Sequence, residues 1–307
     1  MNVPKRLSGV FCPVITPFDR RLNPDEERLV RQCQWLLSQD VGLAVFGTNS
    51  EANSLSIAEK MHLLDRLVEA GIDTARMMPG TGGCAISESV ELTAHAVTLG
   101  CAGTLMLPPF YYKDVSDDGL FRSYAEIIER VGDPRLRIYL YHIPPVAQVG
   151  ISLDLVERLV DRYPETVVGI KDSSGDWEHT RSMHDRQWDD FRIFVGSETF
   201  LLRNMRAGGA GCISATANIN PAAINRLYRE WQSERAELLQ DGLDEIRAAA
   251  VVFPVIPALK ATVAHFADDQ QWRVVRPPLT PLDDRQAASL VDTLSGMDFD
   301  MPGLDDS

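Results

Sequence analysis

Lysine is scarce in this chain of 307 residues. Only Lys5, Lys60, Lys113, Lys171 and Lys260 occur, against twenty-five arginines, so chemistry that needs a neutral side-chain amine has five candidates plus the N-terminus. Basic runs are missing too: thirty Lys and Arg face forty-four Asp and Glu, a net charge of −14. A nucleic-acid binder shows a basic stripe, and anionic membrane attracts polybasic segments, so neither class fits. Cys12, Cys33, Cys84, Cys101 and Cys212 form no C-x-x-C pair. That removes zinc-ligand and redox-motif readings; four of the five sit beside apolar or small residues and read as buried thiols, and the odd, scattered pattern suggests a reducing compartment. The most apolar late stretch, AAAVVFPVIPAL (248–259), is too short for a membrane span and is broken by prolines. The N-terminal MNVPKRLSGVFCPVITPF has no long apolar run before a small-residue cleavage site, so it reads as no signal peptide and the expected location is cytoplasmic.

What is present is globular. Apolar residues make up 45% and charged residues 24%, which excludes disorder as the main state. The length allows one large domain or two ordinary ones, and a chain this long buries roughly 75% of its unfolded surface without disulfides. Short β-branched runs alternate with amphipathic stretches. The candidate strands are Val10–Thr16, Leu43–Phe46, Arg76–Gly80, Gly103–Leu107, Arg137–Tyr141, Val167–Lys171, Arg192–Val195 and Gly211–Ser214. Nearly all are apolar on both faces, as in parallel sheets covered by helices. Helix signals fill the gaps. Asn23-Pro24-Asp25-Glu26 and Ser56-Ile57-Ala58-Glu59 are N-terminal capping patterns, and Ser87–Leu99, Asp118–Val131, Ser152–Arg162 and Phe200–Ala207 continue the rhythm. Eight βα units match a (β/α)8 TIM barrel of about 250 residues, placed at 1–219. Residues 220–307 read as a C-terminal helical extension packed on the barrel as part of one structural domain. Asn220-Pro221 opens it, Pro254 and Pro257 punctuate it, and the acidic tail from Met297 is expected to fray. A doubly wound open sheet shares the rhythm, but no G-x-G-x-x-G follows the first strand.

In a barrel, catalytic groups sit at the C-terminal ends of strands. Lys171 ends VVGIK. In an apolar barrel mouth its ammonium loses hydration, and the neutral amine can attack a carbonyl; the bland reading is a solvated strand-end lysine or a partner for Asp172. The run YLYH offers Tyr139, Tyr141 and His142, the two tyrosines sharing a face. They read either as proton shuttles or as aromatic packing with a satisfied hydroxyl. AVFGTNSE presents Gly47, Thr48, Asn49 and Ser50, a set that binds carboxylate through hydroxyls, amide and backbone N–H groups or makes an ordinary polar turn. Tyr111 and Tyr112 follow LPPF on a loop, as an interface or site lip or as a loop anchor.

These segments together resemble the family of dihydrodipicolinate synthase and N-acetylneuraminate lyase, the pyruvate-dependent class I aldolases. The carrying strings are VITPF (14–18), GTNSEANSLS (47–56), PGTGG (79–83), PPFYYK (108–113), YLYHIPP (139–145), GIKDSSG (169–175), GSE (196–198) and GCISATANINP (211–221), in family order across nearly the whole chain. The resemblance implies Lys171 as Schiff-base lysine and Tyr141 as the acid/base above it, with Thr48 and Tyr112 completing a hydroxyl relay. It implies an oligomer, commonly a dimer of dimers, with the tyrosine in Tyr112's place reaching into a neighbouring subunit's site. The expected substrate contacts are Gly47, Asn49, His142, Ser173, Glu198 and Ser214, the ligand is a small 2-oxo acid, and neither cofactor nor metal is expected.

Departures bear on substrate. The family's usual turn is GTTGE, so Asn49 replaces a hydroxyl and Ser50 a glycine. Where the lysine-pathway synthase carries YNVPSRTG, whose arginine binds the second substrate's carboxylate, this chain has Val146, and no arginine lies between Arg137 and Arg158. His142 replaces the usual Asn, as a substrate contact or as a hydrogen bonder behind the site. The expected activity is a Schiff-base-forming aldolase or lyase on pyruvate or a related 2-oxo acid that is not the lysine-pathway synthase. A 2-keto-3-deoxy sugar-acid dehydratase, the true synthase and a non-catalytic 2-oxo-acid-binding barrel are the alternatives. The acidity, with Arg in place of Lys, fits a high-salt cytoplasm or a GC-rich genome.

Overall fold

The computed structural model describes residues 4–304. It contains seven strands: β1 (Gly9–Cys12), β2 (Gly42–Leu43), β3 (Thr104–Met106), β4 (Ile138–His142), β5 (Val167–Asp172), β6 (Arg192–Val195) and β7 (Gly211–Ile213). The paired strands run parallel, in the order β2-β1-β7-β6-β5-β4-β3. Helices separate them in the chain, as parallel neighbours require. The expected strand Arg76–Gly80 is corrected. Thr74–Arg76 is a 3-10 turn capped by Asp73, and only Gly80 forms a bridge, to Leu105. Leu105 N donates to Pro79 O at 2.9 Å and Thr81 N donates to Leu105 O at 3.0 Å. Pro79 has no N–H to extend that ladder.

By contacts the chain divides into two compact units, residues 4–9 with 73–213 and residues 10–72 with 214–304. In the first, side-chain alternation divides the sheet into two faces. Met106, Ile138, Leu140, Ile170 and Ile193 form one core with Val97, Leu120, Ile127, Leu155, Leu159 and Met183 from the covering helices. Each fully buried leucine there contributes about 1.5–3 kcal/mol. The opposite face carries Tyr139, Tyr141, Gly169, Lys171 and Phe194, because Tyr139 pairs with Gly169, Tyr141 with Lys171 and Lys171 with Phe194. Tyr139 needs the glycines around it: a Cβ at Gly103 would lie 2.6 Å from its ring and one at Gly169 would lie 2.7 Å away.

The second unit begins its first helix at Glu26, not at Pro24. Asp25 is the cap, accepting from Arg28 N at 3.0 Å, while Pro24 bridges to Phe18. The Ser56–Glu59 capping box forms as expected. The C-terminal helices are Pro221–Glu230, Ala236–Ala250, Val255–Phe266 and Asp284–Ser295. Pro257 lies inside the third of these, within the first turn, where a missing N–H costs no intrahelical bond. The expected frayed tail is also corrected. Phe299 packs on the cluster of Leu282, Leu290 and Leu294, Met301 and Leu304 are buried, and Trp35 Nε1 donates to Pro302 O at 3.1 Å. Apolar residues spaced through the acidic stretch hold it down; residues 305–307 lie outside the described residues. Among the described residues no single helix is long and apolar enough to cross a membrane.

Tyr124 is buried in the first unit's core and its hydroxyl has no hydrogen-bond partner among the described residues. A buried unsatisfied hydroxyl costs about 1–3 kcal/mol. Tyr124→Phe is therefore expected to leave the unfolding midpoint unchanged or raise it, measured by calorimetry; a clear loss of stability means that the hydroxyl is satisfied.

Candidate active site

β4 and β5 bring Tyr141 and Lys171 side by side. Both are 2% exposed, and Lys171 Nζ lies 4.2 Å from the centroid of the Tyr141 ring. Among the described residues Lys171 forms no ion pair, and Asp172, its neighbour in sequence, points to the opposite face. Tyr139 shares Tyr141's face but has a packing role. Its hydroxyl accepts from Leu7 N at 2.6 Å, its ring meets Phe194 edge-on, and burial pushes its phenol up to about 12. Ser173 follows on the lysine's face by alternation. Its N donates to His142 O at 2.8 Å, and its Oγ occupies the space that a Cβ at Gly196 would need. Glu198 is buried in the turn after β6.

His142 lies elsewhere. With Asp172 it belongs to the helix-covered face, and its Nδ1 accepts from Ile151 N at 3.0 Å. Its ring stacks on His179 at 4.4 Å with 16° between the planes. Burial lowers its pKa to about 4, so it is neutral at pH 7. Asp172 accepts from Ser174 N at 2.9 Å, Thr180 Oγ1 at 2.7 Å and His179 Nδ1 at 3.1 Å. Ligand-capable atoms of His142, Asp172 and His179 lie within 4.8 Å of one another. A shared ion does not suit them: an imidazole nitrogen binds a metal in its ring plane, and two stacked planes cannot both contain one ion.

Tyr112 is 74% exposed beside an equally exposed Tyr111, their rings edge-to-face at 5.3 Å. Lys113 fixes that loop, donating to Phe110 O and to Ala147 O, the latter at 2.8 Å. Val146 sits on the short helix Pro144–Ala147 and is exposed.

The second unit holds the expected carboxylate-binding turn. Thr48–Ser50 is one 3-10 turn with Thr48 and Asn49 partly exposed. Ser50 does not adopt positive φ; it is buried, its Oγ accepting from Gly47 N at 3.1 Å and its O accepting from Thr16 Oγ1 at 2.7 Å. Glu51 takes the left-handed conformation, φ 55°. Its carboxylate is held by the wholly buried Lys260 and by Arg276 N at 2.9 Å. Lys260 also donates to Val274 O at 2.7 Å and, with Arg276, flanks the Phe18 ring. Burial lowers the Lys260 pKa to about 8 against the pull of Glu51. Ser214, buried after β7, accepts from Arg247 Nη1 at 3.4 Å.

The profile of the dihydrodipicolinate synthetase family matches residues 6–297. The chain belongs to that family. A 4-hydroxy-tetrahydrodipicolinate synthase of Thermus thermophilus is 33% identical over 281 residues, 89% of this chain and 91% of that protein. The crystal structure of dihydrodipicolinate synthase from Agrobacterium tumefaciens superposes with a TM-score of 0.87 at 30% identity, covering 94% of this chain and 99% of that one. A 2-keto-3-deoxygluconate aldolase of Sulfolobus solfataricus shares the fold at a TM-score of 0.85 and 22% identity, covering 94% and 96%. The fold is accordingly a (β/α)8 barrel with C-terminal helices, and the chain is an aldolase-type lyase of this family.

Two features escaped the sequence reading. The helix Trp177–Asp185, which supplies His179 and Thr180, has only Thr180 and Met183 buried and shows no apolar stripe; its one signal is the capping Asp176. The Glu51–Lys260 pair joins residues 209 apart, and its signal was a lone lysine in the apolar run VIPALKATVAHF. Removing one partner of a buried pair leaves an uncompensated charge and costs about 3–5 kcal/mol. Lys260→Met is expected to lower stability by about that much in denaturant titration; a loss under about 1 kcal/mol means that Glu51 is solvated or re-paired.

Proposed function

We propose that the protein is a class I aldolase acting through an imine on Lys171, with pyruvate or a related 2-oxo acid as the carbonyl partner. The carrying observation is the buried Lys171, without an ion pair among the described residues and with its Nζ 4.2 Å from the Tyr141 ring centroid, at the end of a parallel strand. The neutral amine adds to C2 of the 2-oxo acid, the carbinolamine loses water, and the protonated imine accepts the electron pair released when a C3–C4 bond breaks. Tyr141 takes the proton from the C4 hydroxyl, leaving an enamine and an aldehyde, and returns it in the reverse direction. Thr48 and Asn49 for the 2-oxo acid carboxylate, Tyr112 for the relay, and Ser173, Glu198 and Ser214 for the rest of the substrate stay assigned by family resemblance. The exposed Tyr111–Tyr112 loop supports assembly into an oligomer.

The second substrate is read as uncharged at its far end. The synthase's carboxylate-binding arginine is replaced by exposed Val146, and an apolar side chain offers a carboxylate no hydrogen bond. A polyhydroxylated aldehyde suits the hydroxyl and carboxylate groups of Ser173 and Glu198. Loss of a hydroxyl from the same imine, the dehydratase reaction, is the second reading.

Incubation with pyruvate followed by borohydride reduction is expected to give a stable adduct on Lys171 by mass spectrometry, absent in Lys171→Ala. Absence of an adduct with every 2-oxo acid tested overturns the imine, and an adduct on another lysine overturns the residue. With sugar acids, released pyruvate marks the lyase and a carbon-retaining product the dehydratase. Turnover with aspartate semialdehyde at the rate of the best substrate would overturn the argument from Val146.

A further inference from the structure

The cluster behind Lys171 has no part in that chemistry, yet it is built at the next residue. Asp172 has a fully buried side chain and ends β5, one peptide from the lysine. Its backbone O accepts from Gly196 N at 2.6 Å. Its carboxylate takes three donors, of which His179 Nδ1 alone is titratable. His179 is itself held, one face of its ring against His142, whose orientation is fixed by the bond from Ile151 N. The peptide that carries Lys171 and Ser173 is thereby tied to the first turn of the next helix through one carboxylate.

We propose that His179, acting through Asp172, is a positioning residue for Lys171, and that the protonated ring holds the strand end in the geometry from which the amine adds to a carbonyl. This deepens the proposed function and rests on it. The titratable groups facing His179 are Asp172 on β5, His142 on β4 and Asp176 at the N-cap of its own helix. The Asp172 hydrogen bond, with the charges of Asp172 and Asp176, raises the His179 pKa against burial. The Asp172 pKa is lowered: burial works against this but is outweighed by the donors from His179, Thr180 and Ser174. A raised histidine contributes fully below its unfolded value near 6.5 and loses that contribution as pH rises through its folded value. A lowered carboxylate contributes above its unfolded value and loses it on acidification. The anchor is therefore intact on the acid side of the His179 titration and loosens on the alkaline side.

The experiment is single-turnover imine formation with pyruvate on the intact enzyme, quenched with borohydride across a pH series, for wild type, His179→Gln and His179→Leu. The wild-type rate is expected to fall on the alkaline side of the His179 titration. The Gln variant, whose amide donates at every pH, keeps most of the rate and lacks the alkaline fall. The Leu variant, without a donor, is slower by about ten- to a hundred-fold, the scale of a lost charge-assisted hydrogen bond. An alkaline fall retained in His179→Gln overturns the proposal, and so does a Leu variant with the wild-type rate and profile. If the Leu variant does not fold, the Gln profile decides alone. A wild type that reacts at Lys171 while both variants match it overturns this inference and leaves the proposed function standing; a wild type without any Lys171 adduct overturns the proposed function itself.

Discussion

The register of β4 on β5 is the constraint on which the rest of the site depends. Tyr141 pairs with Lys171 and His142 with Asp172, so two chemically different pairs are sent to opposite faces by period-two alternation. A slip of β5 by one residue would place a lysine ammonium against Leu140 and the covering helices and turn Ile170 to the inner face. The slip is resisted from both sides. Leu140 and Ile170 are fully buried in the helix-covered core, and the Tyr139 ring fits only because Gly103 and Gly169 lack a Cβ. The geometry of the Tyr141–Lys171 pair is thus fixed by ordinary packing one step of alternation away.

Lysine scarcity takes on meaning at this level. Lys171 and Lys260 are both buried, and the protein treats them differently. Lys260 is consumed by Glu51 and a backbone carbonyl, and its charge pins the turn that begins at Gly47. The turn needs such a restraint, because Glu51 sits in the left-handed region, where a non-glycine residue costs roughly 1–2 kcal/mol. An amine in that arrangement is structural. Lys171 has no carboxylate held to it among the described residues, and its neighbour Asp172 is occupied by three donors on the other face. One lysine is neutralised by its partner and the other is kept away from one.

The barrel was legible because its signals are local: β-branched runs buried on both faces, capping boxes such as Ser56–Glu59, and Pro221 at a helix start. The motif positions of Lys171, Tyr141 and the Gly47–Glu51 turn were legible for the same reason. The strand at Arg76–Gly80 was misread because MMPG is apolar enough for a strand while Pro79 removes the hydrogen bond that would extend it. The tail was misread because its acidity masked Phe299, Met301 and Leu304. What no local signal carries is pairing across the chain: Glu51 with Lys260, or Asp172 with a histidine on a helix whose sequence has no apolar stripe. His142 shows the same limit. Of its two readings, substrate contact or hydrogen bonder behind the site, alternation leaves the second, because it sends the side chain to the other face, where Nδ1 accepts from Ile151 N.

The two histidines also explain each other. Position 142 has to accept from Ile151 N, and an asparagine oxygen satisfies that bond as well as Nδ1 does. What asparagine lacks is a ring. The His142 imidazole presents its face to His179 at 4.4 Å, and with Nδ1 committed as an acceptor and burial opposing a charge it stays neutral. The stacked pair fixes the plane of the His179 ring, and the charged form of that ring makes the stronger bond to Asp172. With asparagine at 142 the bond to Ile151 would survive and the stacking on His179 would not. The departure from the family's usual residue therefore lies on the helix-covered face, stacked on His179, and not on the face that carries Lys171.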